Sequence, residues 1–250
     1  MEGSITAGGV NALYPDENGN LWICSDGDIG VARATLAESL LYALPVAHSG
    51  VVEDIETVNA GTKKYYAVCS WHGTSGLILL DENLNEVRTF AHVPEDAGDD
   101  AVNVSSVAAD TKSRLWVSSW KGITVMDNSF RVLKKLDNTT KSPDTLFGVK
   151  NNFAIISNDS VWIATYKHGI DLFNTDFKKL KHYSAADNNG LMEDLIWKFY
   201  RAKNGTIWLS GNAFVYRFDA AREKFVPYFF QRTEHPATPL TLLKKEMVRF

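Results

Sequence analysis

Two cysteines in 250 residues cannot staple a fold, so a disulfide framework is excluded from the start. No apolar run reaches the roughly 18 residues that a membrane-spanning helix needs. The opening residues MEGSITAGG also lack the basic and apolar regions of a secretory signal. Neither charge sign dominates: 26 lysines and arginines are scattered among 30 acids, for a net charge of −4. That distribution offers no basic stripe for a phosphate backbone, and no nucleic-acid partner is expected. Gly-x-Ser-x-Gly, His-Glu-x-x-His, the P-loop and Gly-x-Gly-x-x-Gly are all missing, and the six histidines show no metal-ligand spacing. No catalytic residue, cofactor or metal is therefore expected.

What is present is repetition. The stretch SRLWVSSWKGITVMD around Trp116 returns as DSVWIATYKHGIDLFN around Trp162 and as GTIWLSGNAFVYRFD around Trp208, at equal steps of 46 residues. An earlier copy, GNLWICSDGDIGVAR, surrounds Trp22, and KYYAVCSWHGTSGLILLD fills the interval with Ala67 in the tryptophan's place. Five copies at this period mark a propeller or a solenoid array.

Within one copy the alternation of apolar and polar residues changes partner every few residues. VNVSSVAAD, LWVSSW, GITVMD and FRVLKKL read as four short strands separated by turn residues, and no helical period is sustained. DENG (16–19) and KNG (203–205) supply Asn-Gly turns, with SND (157–159) at the matching place. Four antiparallel strands per repeat make a blade, so the expected fold is an all-β propeller. Blades are expected at about 10–50, 51–101, 102–146, 147–190 and 191–241, with LLKKEMVRF (242–250) starting a sixth. Trp22, Trp116, Trp162 and Trp208 are expected as core between blades, flanked on the opposite face by Ile23, Val117, Ile163 and Leu209. The residue two after the tryptophan position is always small (Cys24, Cys69, Ser118, Ala164, Ser210), so both cysteines read as buried free thiols.

The order V-x-x-[IVL]-x-x-D, G-x-L-W-I-G-T, G-L-x-x-L-D underlies these copies, as in VNALYPDENGNLWICS and VSSVAADTKSRLWVSSWKGITVMD. It resembles the two-component regulator propeller repeat of bacterial hybrid histidine kinase sensors. The departures are Cys, Ser or Ala for the usual glycine after the tryptophan pair, Ala67 for tryptophan, and Phe214 where the third copy has Gly122. The resemblance implies a segment of a seven-bladed ring, a periplasmic setting, and a kinase and membrane helix outside this chain. An orphan first strand at 242–250 with an open edge further predicts a homodimer or poor solubility.

Propeller ligands sit at one mouth of the ring, on the loops joining second to third strands and on those joining blades. The first set reads SDGDIG, SWHGTSG, SWKG, TYKHG and GNAF. Three of these place an aromatic four residues after the tryptophan position, followed by a cation or imidazole: Trp71 with His72, Trp120 with Lys121, and Tyr166 with Lys167 and His168. A ring face beside hydrogen-bond donors suits a flat, hydroxyl-rich small molecule or oligosaccharide, while the same rings could instead seal the gaps between blades. The acids Glu95, Asp96, Asp99 and Asp100 of one inter-blade loop read as solvated charge, with no oxygen-ligand spacing for a cation. Two rival readings stand beside a ligand sensor: a lyase or hydrolase propeller using His72, His168 and Glu95, and a protein-interaction propeller.

Overall fold

A computed structural model gives the strands between residues 10 and 43 as backbone, then residues 51–60, 62–71, 76–91, 103–137, 144–146, 153–157 and 159–228. Side chains of Val51, Trp71 and residues 153–157 lie outside this description, as does the segment 242–250. No helix among the described residues is long and apolar enough to cross a membrane.

The chain divides into two compact units, the first taking in residues 1–137 and the second residues 153–250 with the preceding segment 138–148. In the first unit, β1 (Val10–Pro15), β2 (Asn20–Ser25), β3 (Ile29–Ala34) and β4 (Ser39–Ala43) form one antiparallel meander. A second consists of β5 (Val51–Ala60), β6 (Lys63–Trp71), β7 (Leu77–Leu80) and β8 (Glu86–Phe90). The third is β9 (Val104–Ala109), β10 (Leu115–Ser119), β11 (Gly122–Met126) and β12 (Val132–Leu136). In the second unit, β13 (Phe153–Ser157), β14 (Ser160–Ala164), β15 (Ile170–Asn174) and β16 (Lys179–Tyr183) make a fourth sheet. The fifth contains β17 (Ile196–Arg201), β18 (Ile207–Gly211), β19 (Val215–Asp219) and β20 (Lys224–Tyr228).

Alternation along the second strand assigns its two faces. In the first unit, Ala67, Cys69, Leu77 and Leu79 of the second sheet pack on Leu115, Val117 and Met126 of the third. Trp116 and Ser118, out of phase with Leu115 and Val117, point to the other face of β10 and are fully buried. The second unit repeats the scheme with Trp162 and Ala164 against Ile207 and Leu209. Trp162 stacks nearly parallel to Tyr183 at 5.9 Å and meets Phe218 edge-on at 4.7 Å. Trp116 and Trp162 are thus core, as the repeat predicts. Trp208 departs: it is half-buried, lies in the last described sheet, and finds its neighbour within that sheet in Tyr228 at 5.3 Å. Trp22 and Cys24 sit in β2, with side chains outside the described residues, whereas Cys69 is a buried free thiol whose Sγ lies 3.4 Å from the Asp54 carbonyl oxygen.

One turn recipe closes many hairpins. Asp81, Asp110, Asp127 and Asn174 each accept backbone N–H bonds at i+2 and i+4 through one side-chain oxygen. The residue at i+3 takes a left-handed conformation in every case: Leu84, Ser113, Phe130 and Phe177. Asn204 follows a related course. It bonds the Thr206 N–H, and Gly205 alone of the Asn-Gly pair has positive φ. This hairpin is a three-residue loop of the bulge type, not the two-residue mirror turn that Asn-Gly suggests.

Candidate functional site

The second-to-third strand turns hold the sequence-predicted site. Trp120 is half-buried in the turn between β10 and β11, and Lys121 beside it is exposed, with its N–H 3.2 Å from Ser119 Oγ. Gly122 follows at φ +117°, where a Cβ would run into the Leu136 carbonyl oxygen, so only glycine closes this turn without displacement. Tyr166 occupies the same place in the fourth sheet, between β14 and β15. Its ring lies 6.2 Å from Trp197 of β17 at 56°, and Lys167 Nζ stands 5.2 Å from its centroid. Tyr166 therefore fills the gap between the fourth and fifth sheets while keeping partial exposure. His168 is exposed, its N–H bonded to the Thr165 carbonyl. Trp71 ends β6 with its side chain outside the described residues, where His72 and the loop acids Glu95, Asp96, Asp99 and Asp100 also lie.

The fifth copy shows what Phe214 does in place of glycine. Here the turn folds around Glu193, whose carboxylate accepts the N–H groups of Ala213 at 3.0 Å and Phe214 at 3.2 Å. A side chain of the chain itself thus fills the cradle of backbone donors in the turn GNAF. Glu193 belongs to the loop joining the fourth and fifth sheets, whose next residue, Asp194, accepts from Ala185 N through its carboxylate at 2.6 Å and from Gly169 N through its backbone carbonyl at 3.0 Å.

Sequence reasoning missed three groups of charged residues. Asp110 accepts from Trp116 Nε1 at 3.0 Å and Arg114 Nε at 2.7 Å, and its side chain is fully buried. Burial alone would raise this carboxyl, but hydrogen bonds from Arg114 and Trp116 and the guanidinium charge outweigh it and hold it below the usual carboxylate range. An acid six residues before tryptophan also stands at Asp16, so the repeat carried the signal.

Asp54 and Glu56 share a face of β5 and reach the neighbouring sheet. Asp54 Oδ2 accepts from Val107 N at 3.2 Å and Ser106 Oγ at 3.1 Å, and the Ala109 N–H donates to Glu56. Two carboxyl groups two residues apart thereby meet N–H groups two residues apart on β9. Burial, and then the Asp54 charge, push Glu56 up to about 8.

In the second unit Asp171 is buried between His182 Nδ1 at 2.9 Å and Lys179 Nζ at 3.0 Å. Among the described residues, no three histidine, cysteine, aspartate or glutamate side chains come together as metal ligands.

This architecture has known counterparts. Residues 4–27 match the family model described as the two-component regulator propeller. The extracellular domain of a hybrid two-component system from B. thetaiotaomicron superposes with a TM-score of 0.68 at 20% identity, over 95% of this chain and 30% of that one. That of a one-component system from the same organism gives 0.66 at 15% identity, over 92% of this chain and 32% of that one. A catalytically inactive virginiamycin B lyase from Staphylococcus aureus, with quinupristin, gives 0.65 at 10% identity, over 93% and 74%. No curated protein matches the chain in sequence. The chain spans about a third of the two extracellular domains. Its fold is an all-β propeller of four-stranded antiparallel blades, and residues 4–27 are similar to the two-component regulator propeller repeat.

Proposed function

We propose that this chain is a ligand-sensing segment of a two-component sensor propeller, acting outside the cytoplasm, in the periplasm, and signalling to a histidine kinase on another part of the protein. The observation that carries the reading is the match of residues 4–27 to the regulator propeller repeat, followed by further copies folded as four-stranded sheets. The ligand is a small hydroxyl-rich molecule or oligosaccharide. Trp71, Trp120 and Tyr166 supply ring faces, and His72, Lys121, Lys167 and His168 supply donors. Tyr166, wedged against Trp197, contributes an edge, while Trp120 offers the half-buried ring next to an exposed cation. In the full protein the blades belong to a seven-bladed ring, and binding acts by favouring one of two arrangements of the sensor.

The test is a thermal-shift screen of the purified chain against a panel of oligosaccharides. A stabilising glycan whose effect disappears in Trp120→Ala supports the reading. A full panel without stabilisation, or an effect untouched by Trp120→Ala and Trp71→Ala, removes it. The likeness to a lyase propeller motivates one rival. Turnover of a ligand that His168→Ala abolishes would favour an enzyme.

A further inference from the structure

A cleft of about 460 Å³ opens in the second unit at the opposite end of the strands from Tyr166. It is framed by the start of β14, the β17–β18 hairpin, and the end of β19 with the turn that follows, and lies within the range of small-molecule sites. Its apolar wall is Trp162 with Phe218. The third copy has Asp110 to accept the indole N–H, but the fourth has Ile156 six residues before its tryptophan, so the repeat supplies no acid at that position.

The polar wall is rich in donors. Arg217 lines the cleft on β19, held in register between Trp208 and Val226, and its Nε is buried without a hydrogen-bond partner. A buried, unanswered guanidinium N–H is unfavourable, and a carboxylate answers it with two parallel charge-assisted bonds. Asn204 uses its Oδ1 on Thr206 N, which leaves its amide N–H groups for a ligand, and Ser160 adds a hydroxyl. Among the described residues of the lining Asp219 is the one acid, and it is engaged by Arg222 at 2.8 Å, so no described acid of the cleft is left to pair with Arg217.

We propose that this cleft binds a small sugar acid, its carboxylate on Arg217 and its ring against the Trp162–Phe218 wall. The ligand class follows from one uncompensated cation, a short aromatic wall and neutral donors. The site does not depend on the Trp120 rim and stands or falls apart from it.

The experiment is NMR titration and calorimetry of the full chain with D-glucuronate, D-glucose and acetate at millimolar concentrations. Glucuronate is expected to bind and to shift resonances of Asn204–Ile207 and Arg217–Ala220, with glucose and acetate weaker by about tenfold or more. Arg217→Met, which keeps the aliphatic stem, should weaken glucuronate by at least about tenfold, Arg217→Lys by less. Asn204→Ala, in an exposed turn, should weaken it several-fold and serves if Arg217→Met fails to fold. Absence of glucuronate binding, equal binding of glucose or acetate, shifts confined to other turns, or full affinity in the Arg217 and Asn204 variants would each overturn the proposal.

Discussion

Asp110 is the residue on which its hairpin and its tryptophan both depend. One carboxylate oxygen closes the turn through Lys112 N and Arg114 N, and the other meets Arg114 and the buried Trp116 indole. Asp110→Ala would strand the indole N–H and free the Arg114 charge, at a cost of about 2–4 kcal/mol read as a lower denaturation midpoint. Its carboxyl is held low, so this stabilisation is present above the unfolded-state carboxylate range and is lost as pH falls through the depressed folded value. Glu56 has the opposite sign. Raised to about 8 from 4.5, it keeps a proton in the folded chain that the unfolded chain has released. Its contribution is full below 4.5 and declines as pH rises toward 8, by at most about 1.4 kcal/mol per pH unit. Glu56→Gln should flatten the fall of stability between pH 5 and pH 8, as measured by chemical denaturation across that range. An unchanged pH profile would show that the carboxyl titrates normally.

Among the elements, the sheet pair of the second unit concentrates its aromatic contacts around Trp162. Tyr183, Phe218 and Phe225 all lie within 6.5 Å of its ring. Trp162→Ala should cost about 3–5 kcal/mol, since a rigid cluster collapses poorly around so large a void. The Gly169 turn is a second sensitive point: at φ +73°, with the Tyr183 carbonyl oxygen where a Cβ would go, Gly169→Ala should cost about 2 kcal/mol or more in thermal denaturation. Strand placement was legible because β10 and its equivalents carry a tryptophan, a β-branched neighbour and a small residue in fixed order, and period-two alternation translates that order into faces. Charged partnerships were not. Asp54 with β9, Glu193 with the 213–214 turn and the unmet Nε of Arg217 join residues from separate repeats or depend on side-chain reach, and neither leaves a period in the sequence.

Over the whole molecule, the repeat makes stability a matter of each sheet and its immediate neighbours. Hydrogen exchange of Trp162→Ala should accordingly show protection lost first in the fourth and fifth sheets and retained longer in the second and third. Uniform loss of protection would mean that the chain unfolds as one cooperative body. Net charge is small and the isoelectric point is near 5.9, so solubility should be lowest close to that pH, measurable as light scattering during a pH titration. Mild acid then pulls two ways, since it lessens the cost of the proton that Glu56 holds in the folded chain while it removes the charge that keeps molecules apart.

The hairpin recipe has one more implication, for engineering. Leu84, Ser113, Phe130 and Phe177 hold a backbone shape that side chains resist, each in a turn already secured by an Asp or Asn. Glycine or asparagine at Ser113 would relax the bend while leaving the Asp110 and Trp116 side chains in place, whereas at Phe130 it would also remove a ring that packs on the core of the first unit and meets Tyr65 edge-on at 5.4 Å. Ser113, in the first hairpin of the third sheet, is thus a site at which thermal tolerance can be raised within a single loop.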